Sequence, residues 1–188
     1  GRGTRAMVNL PVGATVSLMG PLGNGFPTDV PAGVIPVLVA GGYGVAPLCL
    51  VAAALPRPGL IFIGGGTARD VLCADEFARL GWRVEISTED GSLGWRGRVT
   101  APLDAWLEKE RGHATPEFFS CGPDGLLEAV GERAIRGGWR AWLSLDKHMG
   151  CGAGACLACV QRIRRDQVES WARVCKDGPV FEAREIVW

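Results

Sequence analysis

Between residues 34 and 145 the chain alternates apolar runs of strand length with mixed stretches of helix length. Val34-Ile35-Pro36-Val37-Leu38-Val39-Ala40 and Leu60-Ile61-Phe62-Ile63 contain no polar residue. Such unbroken runs suit strands covered on both faces. Residues 83–87, 117–120 and 140–145 predict three more strands. Helices are expected over about 45–55, from a Thr67 cap to about 80, over 103–110 and over 124–136. Strand–helix alternation of this kind predicts an α/β fold, a parallel sheet with helices on both faces.

Either side of that region the pattern changes. Residues 14–19 alternate like a short β segment, and the glycines and prolines of residues 21–27 break any regular element. After Asp146 the alternation stops. Residues 149–160 form a tight loop of glycine, alanine and cysteine, followed by short β-like pieces near 160–164, 171–174 and 184–187. Three units are therefore expected: 1–30, 31–147 and 148–188. The start Gly1-Arg2-Gly3-Thr4, with the first methionine at Met7, suggests the end of something larger.

The 188 residues carry 20 Lys plus Arg against 20 Asp plus Glu, so nothing marks a nucleic-acid surface. No apolar run reaches the roughly 20 residues of a membrane-spanning helix. No signal peptide is read in these residues, and the expected location is cytoplasmic. Core packing is the expected role for most of the seven tryptophans.

Seven cysteines change the picture. Disulfides are rare in a reducing compartment. Four of the seven crowd the last quarter of the chain, while Cys49, Cys73 and Cys121 are scattered. Cys151, Cys156 and Cys159 are separated by four and then two residues, and Cys175 lies further on. That is the spacing of plant-type [2Fe–2S] ligands. Gly150, Gly152, Ala153, Gly154 and Ala155 let the backbone wrap closely and direct amides at the sulfurs, which tunes a cluster. A structural zinc site is the competing reading, but zinc usually takes its cysteines as two close doublets.

Gly41-Gly42-Tyr43-Gly44 lies between a predicted strand and a helix, where amides and helix dipole together suit a phosphate. A plain tight turn explains it as well. No acidic residue ends the second strand; Gly64-Gly65-Gly66-Thr67 stands there, with Arg69 close by. Cys121-Gly122-Pro123-Asp124 ends the fourth strand, the side on which open α/β sheets bind ligands. A small buried side chain at a strand end would explain Cys121 equally.

Residues 148–160, residues 173–181 and the loop Pro21-Leu22-Gly23-Asn24-Gly25-Phe26, in this order with 41–47, 89–92 and 121–124, resemble the electron-transfer subunits of dihydroorotate dehydrogenase. These belong to the ferredoxin-reductase-like flavoproteins. The resemblance covers essentially the whole chain. It implies an NAD-binding parallel sheet, a small C-terminal [2Fe–2S] subdomain and the remnant of an N-terminal FAD barrel. About a hundred residues of that barrel would precede residue 1, so FAD binding by this chain alone is expected to be weak or lost. The resemblance implies cluster ligands Cys151, Cys156, Cys159 and Cys175, and nicotinamide-nucleotide contacts Gly42, Gly44, Cys121 and Gly122. It makes Gly3 and Thr4 leftover FAD contacts. It also implies a partner subunit holding FMN, in a heterotetramer, with electrons passing from FMN through the cluster and FAD to NAD⁺ in pyrimidine biosynthesis. A reductase subunit of a hydrogenase or a ferredoxin:NAD(P) oxidoreductase is the alternative within the same class. A zinc-stabilised interaction module without redox function is the alternative outside it.

Overall fold

The computed structural model describes all 188 residues. Its sheet is built by the predicted apolar runs. β1 (Val34–Gly41) is followed by α2 (Val45–Ala54), and β2 (Leu60–Gly65) by α3 (Ala74–Arg79). β3 (Arg83–Thr88), the short β4 (Trp95–Arg96), α4 (Thr100–Lys109), β5 (Thr115–Cys121), α5 (Asp124–Gly137) and β6 (Arg140–Ser144) continue the series. The spatial order is β4-β3-β2-β1-β5-β6, all parallel. Strand order reverses between β1 and β5, so the crevice beyond their carboxyl ends is the natural ligand site.

Side-chain alternation divides the core into two layers. Val37, Val39, Leu60, Phe62 and Phe118 face one way, onto Leu103 and Trp106 of α4 and Leu127, Val130 and Ala134 of α5. Leu38, Ala40, Ile61, Ile63 and Phe119 face the other way, onto Val45, Leu48 and Val51 of α2 and Phe77 of α3. Both faces are covered, which is why β1 and β2 tolerate no polar residue.

The C-terminal part is a hairpin of β7 (Val160–Arg165) and β8 (Val168–Arg173), a single turn α6 (Val174–Asp177), and β9 (Val180–Glu182). β9 joins the main sheet, antiparallel to β6. Ile163, Ala172, Val174, Phe181, Ala183 and Ile186 are buried in the same layer as α4 and α5. The cysteine-bearing segment and the sheet thus share a core.

Four local expectations need correction. Residues 14–19 form no strand and are exposed; before β1 the only regular element is the helix α1 (Arg2–Val8), with no buried residue. The helix expected from Thr67 to residue 80 is broken. Thr67 does cap, but what it caps is one 3-10 turn, Ala68–Asp70, closed by reciprocal bonds between Thr67 and Asp70. Cys73 then takes a left-handed conformation and the chain restarts as α3. The helix expected at 103 begins at Thr100. Near the end, Ala183–Glu185 is a 3-10 turn and the strand lies earlier, at β9.

Residues 22–34 are tied down at two points. Asn24 donates its backbone N–H to Gly178 O (2.5 Å) and its side-chain amide to Asp177 O (3.1 Å). The Arg57 guanidinium donates to the carbonyls of Val30, Pro31 and Val34, and Phe26 packs against Phe119. No helix is long and apolar enough to cross a membrane.

Candidate metal centre and nucleotide cleft

The loop before β7 folds around its own sulfurs. Gly152 (φ 71°), Gly154 (φ 80°) and Leu157 (φ 59°) adopt left-handed conformations, so the chain reverses repeatedly within a few residues. Amides consequently point inward. Ala155 N and Cys156 N donate to Cys151 Sγ at 3.3 and 3.4 Å. At the other end of the segment, Cys175 N donates to Cys159 Sγ at 3.4 Å, and Val174 N to Cys159 O at 2.9 Å. These bonds bring the remote Cys175 beside Cys159.

The four thiols are therefore gathered as two pairs. Backbone N–H bonds to sulfur link Cys156 to Cys151 and Cys175 to Cys159. No three His, Cys, Asp or Glu side chains converge as they would around one metal ion. Pairing Cys151 with Cys156 and Cys159 with Cys175 would give each of two irons its two protein sulfurs. The electrostatics agree. The amides of Cys156, Ala155 and Ala153 hold the Cys151 thiol at about 6. The Cys175 amide, and then its thiol, lower Cys159. Cys175 is raised, first by its hydrogen bond with the Cys159 thiol and then by burial. A set of four cysteines, of which Cys151 and Cys159 are shifted toward the thiolate that binds iron, fits an iron–sulfur cluster by its donor chemistry. Cys156 and the neighbouring Met149 and Leu157 are exposed, so one edge of the site faces outward.

The second site is a cleft of about 740 Å³ beyond the carboxyl ends of β1, β2 and β3, bounded by α4 and α5. Gly41 and Gly42 line it from β1, Gly64, Gly65 and Gly66 from β2, and Pro123 and Gly125 from the start of α5. Three arginines line it, Arg69, Arg98 and Arg133. Arg133 is held by a two-pronged bond to Asp104 (2.6 and 2.7 Å), whereas Arg69 and Arg98 have no carboxylate partner. Of its two carboxylates, Asp70 is occupied by Thr67 and Glu89 is free of any hydrogen bond. Glycine walls with free cations suit a phosphate-bearing ligand.

Of the residues expected to contact the nucleotide, Gly42 (φ 54°) lines this cleft. Gly44 does not line it; it packs so close to β5 that a Cβ would overlap the Cys121 carbonyl. Cys121 and Gly122 do not line it either, although Gly122 packs against Gly41, which does. Burial raises the Cys121 thiol, partly offset by a hydrogen bond with Ser144 on β6. Gly3 and Thr4 lie on the exposed α1, and nothing stands within 4 Å of where a Gly3 Cβ would be. Arg98 and Arg133 escaped the sequence reading, and Glu89 entered it only as part of the 89–92 segment. The Gly97-Arg98 step after an edge strand was the one available signal, and Arg133 looks like any other helix charge.

Residues 146–187 match the family model of the iron–sulfur cluster binding domain of dihydroorotate dehydrogenase B. Among solved structures, one describing flavin-based electron bifurcation by an NADH-dependent reduced ferredoxin-NADP oxidoreductase is similar, with a TM-score of 0.78 and 30% identity. The match covers 98% of this chain and 65% of that one. Sheet, cleft and thiol loop together define a ferredoxin-reductase-like oxidoreductase component with an iron–sulfur domain. The chain is also 40% identical over 191 residues to the electron transfer subunit of dihydroorotate dehydrogenase B (NAD(+)) of Bacillus caldolyticus, and 39% identical over 190 residues to that of Listeria monocytogenes. These alignments take in 100% and 99% of the chain and 71% of each relative. The chain belongs to the family of dihydroorotate dehydrogenase B (NAD(+)) electron transfer subunits.

Proposed function

We propose that this chain carries electrons from a catalytic subunit that oxidises dihydroorotate to NAD⁺, in the cytoplasm and in the service of pyrimidine synthesis. The reading rests above all on the two thiol pairs with amides directed at their sulfurs. Cys151 and Cys156 would hold one iron of a [2Fe–2S] cluster, and Cys159 and Cys175 the other. When bound, the cluster and FAD supply the one- and two-electron steps between the two substrates. The chain's own residues supply placement. The junction at Asn24 and Gly178 ties the segment before the sheet to the cluster segment. Gly42 and the glycines after β2 admit the dinucleotide, with Arg69 and Arg98 facing its phosphates. Gly44, Cys121 and Gly122 belong to the nicotinamide side, and Gly3 and Thr4 to the FAD side. The partner is an FMN-containing subunit, two copies of each forming a heterotetramer. The thiol loop's outward edge at Cys156 gives that partner access.

The test is reconstitution. Iron-loaded protein with FAD, mixed with the FMN subunit of the same organism, should produce NADH from dihydroorotate and NAD⁺. Reduction of NAD⁺ by ferredoxin, with no response to dihydroorotate, would instead support the second reading, a ferredoxin:NAD(P) oxidoreductase component, which the similarity to such a structure favours.

A further inference from the structure

The Gly154–Ala155 peptide is held at both its ends. Its N–H, on Ala155, donates to Cys151 Sγ at 3.3 Å. Its carbonyl, on Gly154, accepts from the Arg173 guanidinium at 3.4 Å. Arg173 therefore grips the carbonyl end of the peptide whose N–H serves the Cys151 sulfur.

Arg173 is itself fixed. Its Nε and a terminal nitrogen donate to the two Asp177 oxygens at 2.9 and 3.0 Å, and its backbone N–H donates to Asp177 as well, at 2.8 Å. A two-pronged arginine–carboxylate pair fixes direction as well as distance. The pair spans the turn that carries Cys175, so it joins the remote ligand to the loop bearing the other three. Gly154 also packs on the methylenes of Lys176, where a Cβ would collide. At φ 80° only glycine takes this path without strain.

We propose that Arg173, locked by Asp177, is a positioning residue that aims the Gly154–Ala155 amide at the Cys151 sulfur and thereby sets the potential and the iron retention of the cluster. This rests on the cluster reading above. The physics is direct. Reduction adds an electron to the cluster, and a donor amide on a ligand sulfur stabilises the more negative form. Freed from Arg173, the peptide can turn, the donor is lost, and the reduced form is harder to reach. An unanchored loop also releases iron more readily.

The experiment uses the full chain after anaerobic cluster reconstitution, as wild type, Arg173→Lys, Arg173→Gln and Asp177→Asn. Wild-type iron and sulfide content tests the cluster reading by itself. Iron loss to a chelator, a redox titration followed by EPR, and thermal unfolding by circular dichroism then test the proposal. Arg173→Gln and Asp177→Asn should take up iron, lose it roughly tenfold faster, and titrate at a more negative potential, with the unfolding of the sheet unchanged. Arg173→Lys, which keeps the charge and loses the fork, should fall between them and wild type. Wild-type potential and iron retention in Arg173→Gln would overturn the proposal. So would faster iron loss that always tracks early unfolding of the sheet, since that is a merely structural role. A wild type that takes up no cluster would remove the reading on which the proposal stands.

Discussion

At the scale of the residue, the structure separates positions that hold a ligand from those that let the chain come close enough to form the site. Gly44 is of the second kind. Its φ is an ordinary −60°, so it is glycine for lack of room and not for conformational freedom. Gly44→Ala should destabilise the protein by about 1–3 kcal/mol through overpacking, read as a lower urea midpoint. An unchanged midpoint would show that the turn after β1 can move off β5. The cysteines were the most legible residues, because three thiols at fixed short spacing in a glycine loop have few other uses. Of the cleft arginines Arg69 was legible beside the glycines after β2, and Arg98 and Arg133 were not. Arg98 follows an edge strand of two residues, too short to leave a periodic trace, and Arg133 gains its meaning only from Asp104 on another helix.

At the scale of the element, legibility followed burial. β1 and β2 are covered on both faces and announce themselves as unbroken apolar runs. β4 at the sheet edge has both residues exposed, and nothing in Trp95-Arg96 marks a strand. The expected helix after Thr67 failed for a local reason: Asp70 turns back on its own cap, and apolar Val71 and Leu72 continue the look of a helix across a break. β9 was misplaced by a few residues because its register is set by β6 and not by its own sequence. Phe181, paired with Leu143 and 2% exposed, makes β9 the strand that fastens the cluster segment to the sheet. Phe181→Ala should cost about 3–5 kcal/mol in urea unfolding. A cost below about 1 kcal/mol, on the same scale, would mean that the two regions are held together by other contacts.

At the scale of the whole molecule, one sheet presents two chemistries. The strand-order switch opens a glycine-lined cleft at the carboxyl ends of β1 and β2. The antiparallel edge strand, β9, joins the thiol loop and its hairpin to the same core. An electron path needs its stations held at fixed separation, and a shared core provides that. The most direct test of the central claim is iron and acid-labile sulfide per chain in anaerobically prepared protein, with an EPR spectrum after reduction, repeated on Cys156→Ser. Two irons and two sulfides per chain, with a spin-one-half signal lost or altered in Cys156→Ser, is the predicted result. Stoichiometric zinc, with no sulfide even after reconstitution, would contradict it and make this chain a structural module.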